Sequence, residues 1–488
     1  MQRALLLAAV LLCGCPASDF CQPGTDSERT FFVNPPTDPA PDNDTVPGSF
    51  DTIQGALDAA GGDLGRATVC VAGGTYREQI TVPANTHLLG KPGRVRLRAP
   101  QVRASALPTD VDRVLLSLST GAQGAIVVTG LDVRGAGLCV DVIGPGTATL
   151  RDDVVSDCGV GLRIRGGGAA ILERTPLRDH AIRGADVLGS QLDLRDGSHL
   201  LRNGRPAAWH EQDARLDAPE DAGWAKDLLP GHGALAARDS RITLQGLTVD
   251  ETEFDGAALT LWGGSLTATD VILGAQLPAA TVEGFLAGDA GGAGPIVSLT
   301  SVDAALDRVV ARTEGQGLVA LAGAENSLLG TNISWSGLVP STGDPGSAGP
   351  ALSGTGAGTI QMHHVTLLGS DEAWGIDLAG GPWTLQLRNS ILWGQSSGRG
   401  LRVPDSTALT LETLLVEDPS LTNGGTVIYD PDPEFIDAAA GLLIPDDSPA
   451  RCAGTDLGVS VDLNGDPRPF SAGKAPDLGA IELQQDCP

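Results

Sequence analysis

Two adjacent acids, Asp152-Asp153, are carboxyls of the kind that could hydrolyse a glycosidic bond, and one Gly-His-Gly triplet, Gly231-His232-Gly233, adds a further titratable group. In that chemistry one carboxyl protonates the leaving oxygen and another activates water. Inverting carboxyls must lie roughly 6.5–9.5 Å apart. Several repeats of the chain separate the acids from the triplet, so the match reads as coincidence. A second set recurs periodically: Arg151, Glu173 and Arg195 form one series, and Asp152, Arg174 and Asp196 the next. Acids beside an arginine base could abstract a proton, which makes Asp152, Asp153, Arg174 and Asp196 the catalytic candidates. The plainer role for opposite charges on successive strands is to hold register, and exposed pairs contribute little each. His363-His364 is the one histidine pair, and neighbours on a strand face opposite sides, which works against joint metal ligation.

A third cluster lies in an insertion, 203–239, that holds Trp209, His210, Glu211, Asp213, Trp224 and His232. Insertions into repeat arrays map to loops on one face, often the binding face. A tryptophan beside polar groups can stack on a sugar ring, or simply anchor its loop. These six residues are the binding candidates.

The elements that must position all these groups are repeats. Val128, Leu150, Leu172 and Leu194 recur at one constant interval, and Val133, Val155 and Leu177 keep the same interval. Phrases of alternating apolar positions, such as TATLRDDVVS, AAILERTPLR and RITLQGLTVD, predict half-buried strands. Glycine clusters such as Gly135-Ala136-Gly137 and Gly166-Gly167-Gly168 mark turns between them. That interval, a little over twenty positions, is the length of one β-helix coil, and the fixed phrase of leucine-rich repeats is missing. The predicted fold is therefore all-β, a single-stranded right-handed parallel β-helix of about a dozen coils, on the order of 60 Å long. Ser49 to Ala60 reads as a capped amphipathic helix with Ile53, Ala56, Leu57 and Ala60 on one face, placed to plug the first coil.

Composition agrees. Of the 488 residues 41% are hydrophobic but only 3% aromatic, so the core must be Leu, Val, Ile and Ala. A formal charge of −28 opposes any polyphosphate partner and excludes nucleic-acid binding. Arg3 followed by the apolar run Ala4 to Leu12 predicts an export signal too short to span a bilayer. It ends Leu12-Cys13-Gly14-Cys15, which resembles a bacterial lipobox with Cys15 as the lipidated residue and the only membrane attachment. Six further cysteines, Cys21, Cys70, Cys139, Cys158, Cys452 and Cys487, suit disulfides in an oxidising compartment. They allow 15 sets of pairs; closeness in sequence suggests Cys21 with Cys70, Cys139 with Cys158 and Cys452 with Cys487.

Two longer phrases carry a family resemblance. SFDTIQGALDAA followed by VCVAGGTYRE resembles the opening of the pectin-lyase-like right-handed β-helix superfamily. DPEFIDAAAGLLIPDDSPARCAGTDLG and NGDPRPFSAGKAPDLGAIEL resemble the closing segment called the choice-of-anchor Q domain. The resemblance covers residues 49–483 and implies fold and surface location, with no chemistry attached to its phrases. Lyases of this superfamily would set calcium-binding aspartates beside an Arg or Lys base, and its hydrolases clustered aspartates near Gly-His-Gly. Neither set assembles here. The expected organisation is a lipoprotein signal (1–14), a Pro- and Asp-rich spacer (15–48), the β-helix (49–425) and a C-terminal capping segment (426–488). No cofactor is firmly implied; calcium stays open, since the acidic stretches lack the EF-hand order. The expected protein is an exported lipoprotein of the outer membrane or cell surface with a structural or adhesive role, or one of binding an extracellular polysaccharide or surface protein. The alternative is a polysaccharide lyase or glycoside hydrolase.

Overall fold

The computed structural model describes residues 21, 29–33, 49–61, 66–91, 93–100, 114–122, 124–204, 228–230, 233–250, 257–274, 295–314, 317–338, 349–369, 374–394, 398–421, 426–430 and 444–485. The signal segment with Cys13 and Cys15 lies outside them. Apart from one helix, Ile53–Gly61, the named elements are strands, and the pairing between them is parallel.

Each repeat contributes three short strands, and each strand pairs with its counterparts one repeat before and after. Leu138–Ile143 lies on Val160–Arg165, which lies on Arg183–Leu188; we call this ladder I. Thr147–Arg151, Ala169–Glu173 and Gln191–Arg195 form ladder II. Val154–Ser156, Leu177–Arg178 and Leu200–Leu201 form ladder III. Later strands run round the corners, so that Gly233–Asp250 serves all three ladders at once. Val128, Leu150, Leu172 and Leu194 are direct register partners in ladder II and at most 1% exposed. The column continues through Leu244, Ala268, Leu306, Gly330, Met362, Leu387 and Leu411. Val133, Val155 and Leu177 stack likewise in ladder III. The inward side chains form one apolar cluster from Val33 to Val416. Where a large ring enters, glycine makes room: a Cβ on Gly354 or Gly358 would come within 2.9 or 3.0 Å of the Trp383 indole.

The corner between ladders II and III is a single residue in the left-handed region. Asp152, Arg174, Asp196, Asp270, Arg308, Asn332, His364, Asn389 and Thr413 all occupy it with φ between 50° and 57°, and Gly130 and Gly246 hold the same place. Residue type varies while the backbone conformation repeats, which is why the sequence shows no asparagine ladder. In three successive rungs the N–H just past this corner is accepted by a side chain of the next rung. Asp153 Oδ1 accepts from Leu131 N at 2.7 Å, Thr175 Oγ1 from Asp153 N at 3.3 Å, and Ser198 Oγ from Thr175 N at 3.0 Å. After ladder III, buried His180 and Asn203 do the same for Cys158 N and His180 N.

At the N-terminal end, Ile53, Ala56, Leu57 and Ala60 are the buried face of the helix, as its spacing predicts. Its first turn is capped twice. Thr52 Oγ1 accepts from Gly55 N at 3.1 Å, and the Glu78 carboxylate accepts from Ile53 N and Gln54 N at 3.0 Å each. Arg29–Val33, which the sequence reading assigns to the spacer, is instead a strand paired with Ala67–Val71. Its apolar run explains this, since Phe31 packs beside Phe50 with ring centroids 6.0 Å apart. Disulfides join Cys21 to Cys70 and Cys139 to Cys158. Cys452 is also disulfide-bonded, and Cys487 lies outside the described residues.

At the other end, Val427–Tyr429 adds a strand to ladder III beyond the boundary expected at 425. The segment 444–485 lies along the side of the stack, where a cap was expected. Ile444, Ala450 and Leu478 pack against the outward side chains Ile391 and Leu415. Asn332 Nδ2 donates to Val461 O at 2.9 Å, Gly479 N to Asn389 O at 2.8 Å and Ala480 N to Thr366 Oγ1 at 2.9 Å. Arg468, fully buried, donates to His364 Nδ1 and to Asp477 O. The outward column of ladder III here runs Ser334, Thr366, Ile391 and Leu415, all buried, the last two apolar.

Two consequences can be measured. Glu78→Gln removes the charge that caps the helix from a distance, and chemical denaturation should show a loss of about 0.5–2 kcal/mol; an unchanged midpoint would refute the cap. Burial raises the Asp153 carboxyl to about 8, while the unfolded value is near 3.9. With the folded pKa above the unfolded one, this residue costs nothing below about pH 4 and destabilises increasingly up to about pH 8. Asp153→Asn should therefore melt with the parent at pH 4 and progressively above it toward pH 8, and a constant difference would contradict the assignment.

Candidate functional site

The four catalytic candidates do not converge. Arg174 binds Asp152 in bidentate fashion, Nε at 2.6 Å and Nη2 at 2.9 Å, on the exposed corner. The bonded carboxylate raises Arg174 above its ordinary value, the wrong direction for a base. Asp153 is 1% exposed with its carboxyl turned into the corner, and Asp196 occupies the corner two rungs further, one beyond Arg174. Glu173 bridges Arg151 at 2.6 Å and Arg195 at 2.7 Å, so the alternating columns pair as register supports. His364 is buried at its corner while His363 is half-buried on the strand before it. The binding candidates Trp209, His210, Glu211, Asp213, Trp224 and His232 lie outside the described residues.

What the ladders do assemble is the outer face of ladder I. Its central outward column reads Ser117, Asp141, Arg163, Asp186, Ala236, Thr260, Ser298, Ala320, Ser353, Asp377 and Arg402, each the register partner of the next. The first part is covered. Asp141, Arg163 and Asp186 are between 1% and 4% exposed. Arg163 donates to both oxygens of Asp141, at 3.0 and 2.7 Å, and Arg165 adds a second guanidinium. Arg183 donates to Asp186 at 3.0 Å and to the carbonyls of Leu229 and Pro230 at 2.9 and 3.1 Å, while Leu229 N donates to Asp186 at 3.1 Å. Leu228 joins Leu138, Val160 and Ile182 in a small apolar cluster over these rungs.

From Thr260 onward the face opens. Thr260, Ser298, Ala320 and Ser353 are half-buried, and a neighbouring column sets Arg238, Trp262, Thr300, Ala322, Thr355 and Ala379 beside them. The floor is thus hydroxyls and methyls. An arginine stacks on a tryptophan at either end, Arg238 over Trp262 at 5.7 Å and Arg402 over Trp374 at 5.1 Å. Ser353, Thr355, Asp377, Arg402, Val403 and Pro404 line a groove of about 340 Å³ at the far end. Asp377, the one carboxylate on the open part of these two columns, is held by Arg402, whose Nε lies 2.6 Å away. Between the two stacks run five strand steps, roughly 24 Å at about 4.8 Å each.

Such a floor can receive a sugar chain. Ring faces stack on the indoles, and serine and threonine hydroxyls both donate and accept toward sugar hydroxyls. Bond cleavage needs an acid and a base converging on one bond; among the described residues of these two columns from Thr260 onward the one carboxylate is Asp377, paired with Arg402. Among the described residues no three of His, Cys, Asp or Glu are grouped as a metal would require. Sequence reading missed Arg238, Trp262, Trp374 and Arg402. It also missed the buried Asp141, Arg163 and Asp186, which the repeat arithmetic applied to Arg151 and Glu173 would have found.

No protein-family model and no curated protein sequence matches the chain. Among solved structures it is similar to XylC in complex with xylose, at 10% identity over 94% of this chain and 99% of that one, with a TM-score of 0.42. It is similar also to the catalytic domain of a GH87 α-1,3-glucanase in complex with tetrasaccharides, at 11% identity over 83% and 69%, TM-score 0.40. A third likeness is PfbA, a surface adhesin of Streptococcus pneumoniae, at 11% identity over 72% and 92%, TM-score 0.31. All three likenesses are distant.

Proposed function

We propose that the protein is an exported, lipid-anchored surface rod, one right-handed parallel β-helix, that binds a neutral extracellular glycan along the outer face of ladder I without cleaving it. The observation that carries this reading is the uncharged floor of Thr, Ser and Ala lying between two arginine–tryptophan stacks. The three parallel ladders support the coil, the apolar run after Arg3 supports export, and Gly14-Cys15 supports lipidation of Cys15. A net charge of −28 repels polyanions, which favours neutral sugars over uronates. A lyase or hydrolase would need carboxylates free to act, and Asp377 is committed to Arg402.

The test uses mature protein with Cys15→Ser, incubated with neutral and acidic polysaccharides with and without calcium. Retention, reducing ends and the ultraviolet absorbance of unsaturated uronates are followed together. The expected result is retention by a neutral glycan with no product. Trp262→Ala and Trp374→Ala should each weaken it about three- to tenfold, as loss of an aromatic stack worth about 0.5–1.5 kcal/mol implies. Product from any substrate, or retention indifferent to both substitutions, would overturn the reading.

A further inference from the structure

The floor of ladder I is walled at one end and open at the other. Toward the N-terminal rungs, Ala236 is only 3% exposed and the columns beyond it carry the buried Asp141, Arg163 and Asp186. The backbone of Leu229 and Pro230 stands there, fixed by Arg183 through both carbonyls and by Asp186 through an N–H. These two side chains are themselves ion-paired at 3.0 Å and 1% exposed, so the wall is tied to the rung beneath it. Toward the C-terminal rungs the column ends at Arg402, 57% exposed, with Val403 and Pro404 at its edge and no wall among the described residues.

We propose that this trough recognises the terminal sugar of a linear neutral glycan, taking the chain end-on against the Leu229–Pro230 wall. The inference rests on the glycan-binding reading above and adds the polarity of the site. A chain lying along the strand-stacking direction cannot continue past the wall, so interior segments are excluded from the rungs nearest it. The Trp262 indole, on the rung next to Ala236, then meets every bound end, whereas Trp374, on the rung of Asp377, lies about four strand steps, roughly 19 Å, away and is met only by longer chains.

The experiment is titration calorimetry with maltose, xylose, mannose and β-1,3-glucose trisaccharides and with their parent linear polymers, amylose, xylan, mannan and linear β-1,3-glucan. For the sugar that binds, stoichiometry should follow the molar concentration of chain ends and not the mass of polymer. Trp262→Ala should weaken the trisaccharide about tenfold and Trp374→Ala should leave it unchanged, although both weaken the polymer. Borohydride reduction of the trisaccharide distinguishes which end is held, because it alters only the reducing one. Many protein molecules per polymer chain, or a trisaccharide equally sensitive to both substitutions, would overturn end recognition while leaving glycan binding intact. Failure of every sugar to bind would remove both.

Discussion

One residue per rung, held in the left-handed conformation between ladders II and III, governs the path of the chain. For a side chain other than glycine that conformation costs about 1–2 kcal/mol, and Asp152, Arg174, His364 and even β-branched Thr413 adopt it. The cost is met between rungs: Arg174 clasps Asp152, Thr175 takes the N–H of Asp153, and Asn389 binds the backbone of Thr455. Because the bend recurs at one place in each rung, inward residues fall into continuous columns, and outward residues do so as well. The floor of the candidate site is a product of that alignment. Moving one corner by a single residue would turn Leu244 outward and Thr243 inward, and the face would lose both its core and its surface.

How much of this was legible depended on whether a residue announces its own side. The inner column from Val128 to Leu194, the helix face from Ile53 to Ala60 and the two disulfides are visible in sequence because apolar periodicity and cysteine pairing are strong local signals. Arg29–Val33 was missed because one short strand separated by many residues from its partner shows no period. The site was missed for a different reason. Thr260, Ser298 and Ala320 mean nothing singly, and the chain from Trp262 to its partner Thr300 is much longer than one ordinary repeat, so loop length hides the register. The charged columns are conspicuous in sequence, and in the structure they pair between rungs, Glu173 with Arg151 and Arg195, and Asp152 with Arg174.

The buried ions of ladder I are of another kind from those on the corner. Exposed pairs such as Arg174 with Asp152 are screened by water and contribute little each. Asp141, Arg163, Arg183 and Asp186 are desolvated, and such groups stabilise little by their attraction alone while making any misaligned arrangement costly. Their chemistry therefore selects one placement of Leu228–Pro230 over the rungs. A purely apolar cover would hold that segment but leave its position along the stack less defined.

The lateral position of the segment 444–485 changes how the stack can come apart. A bare array of repeats is one-dimensional and can fray from its terminus one repeat after another. Here residues of a single segment bond to Asn332, His364, Thr366 and Asn389, which belong to successive rungs, and pack on Ile391 and Leu415. The final rungs cannot unravel singly, since each is tied to its neighbours by a brace that must first peel away whole. The C-terminal part of the molecule thus behaves as one block, with a sharp melting boundary where the brace begins.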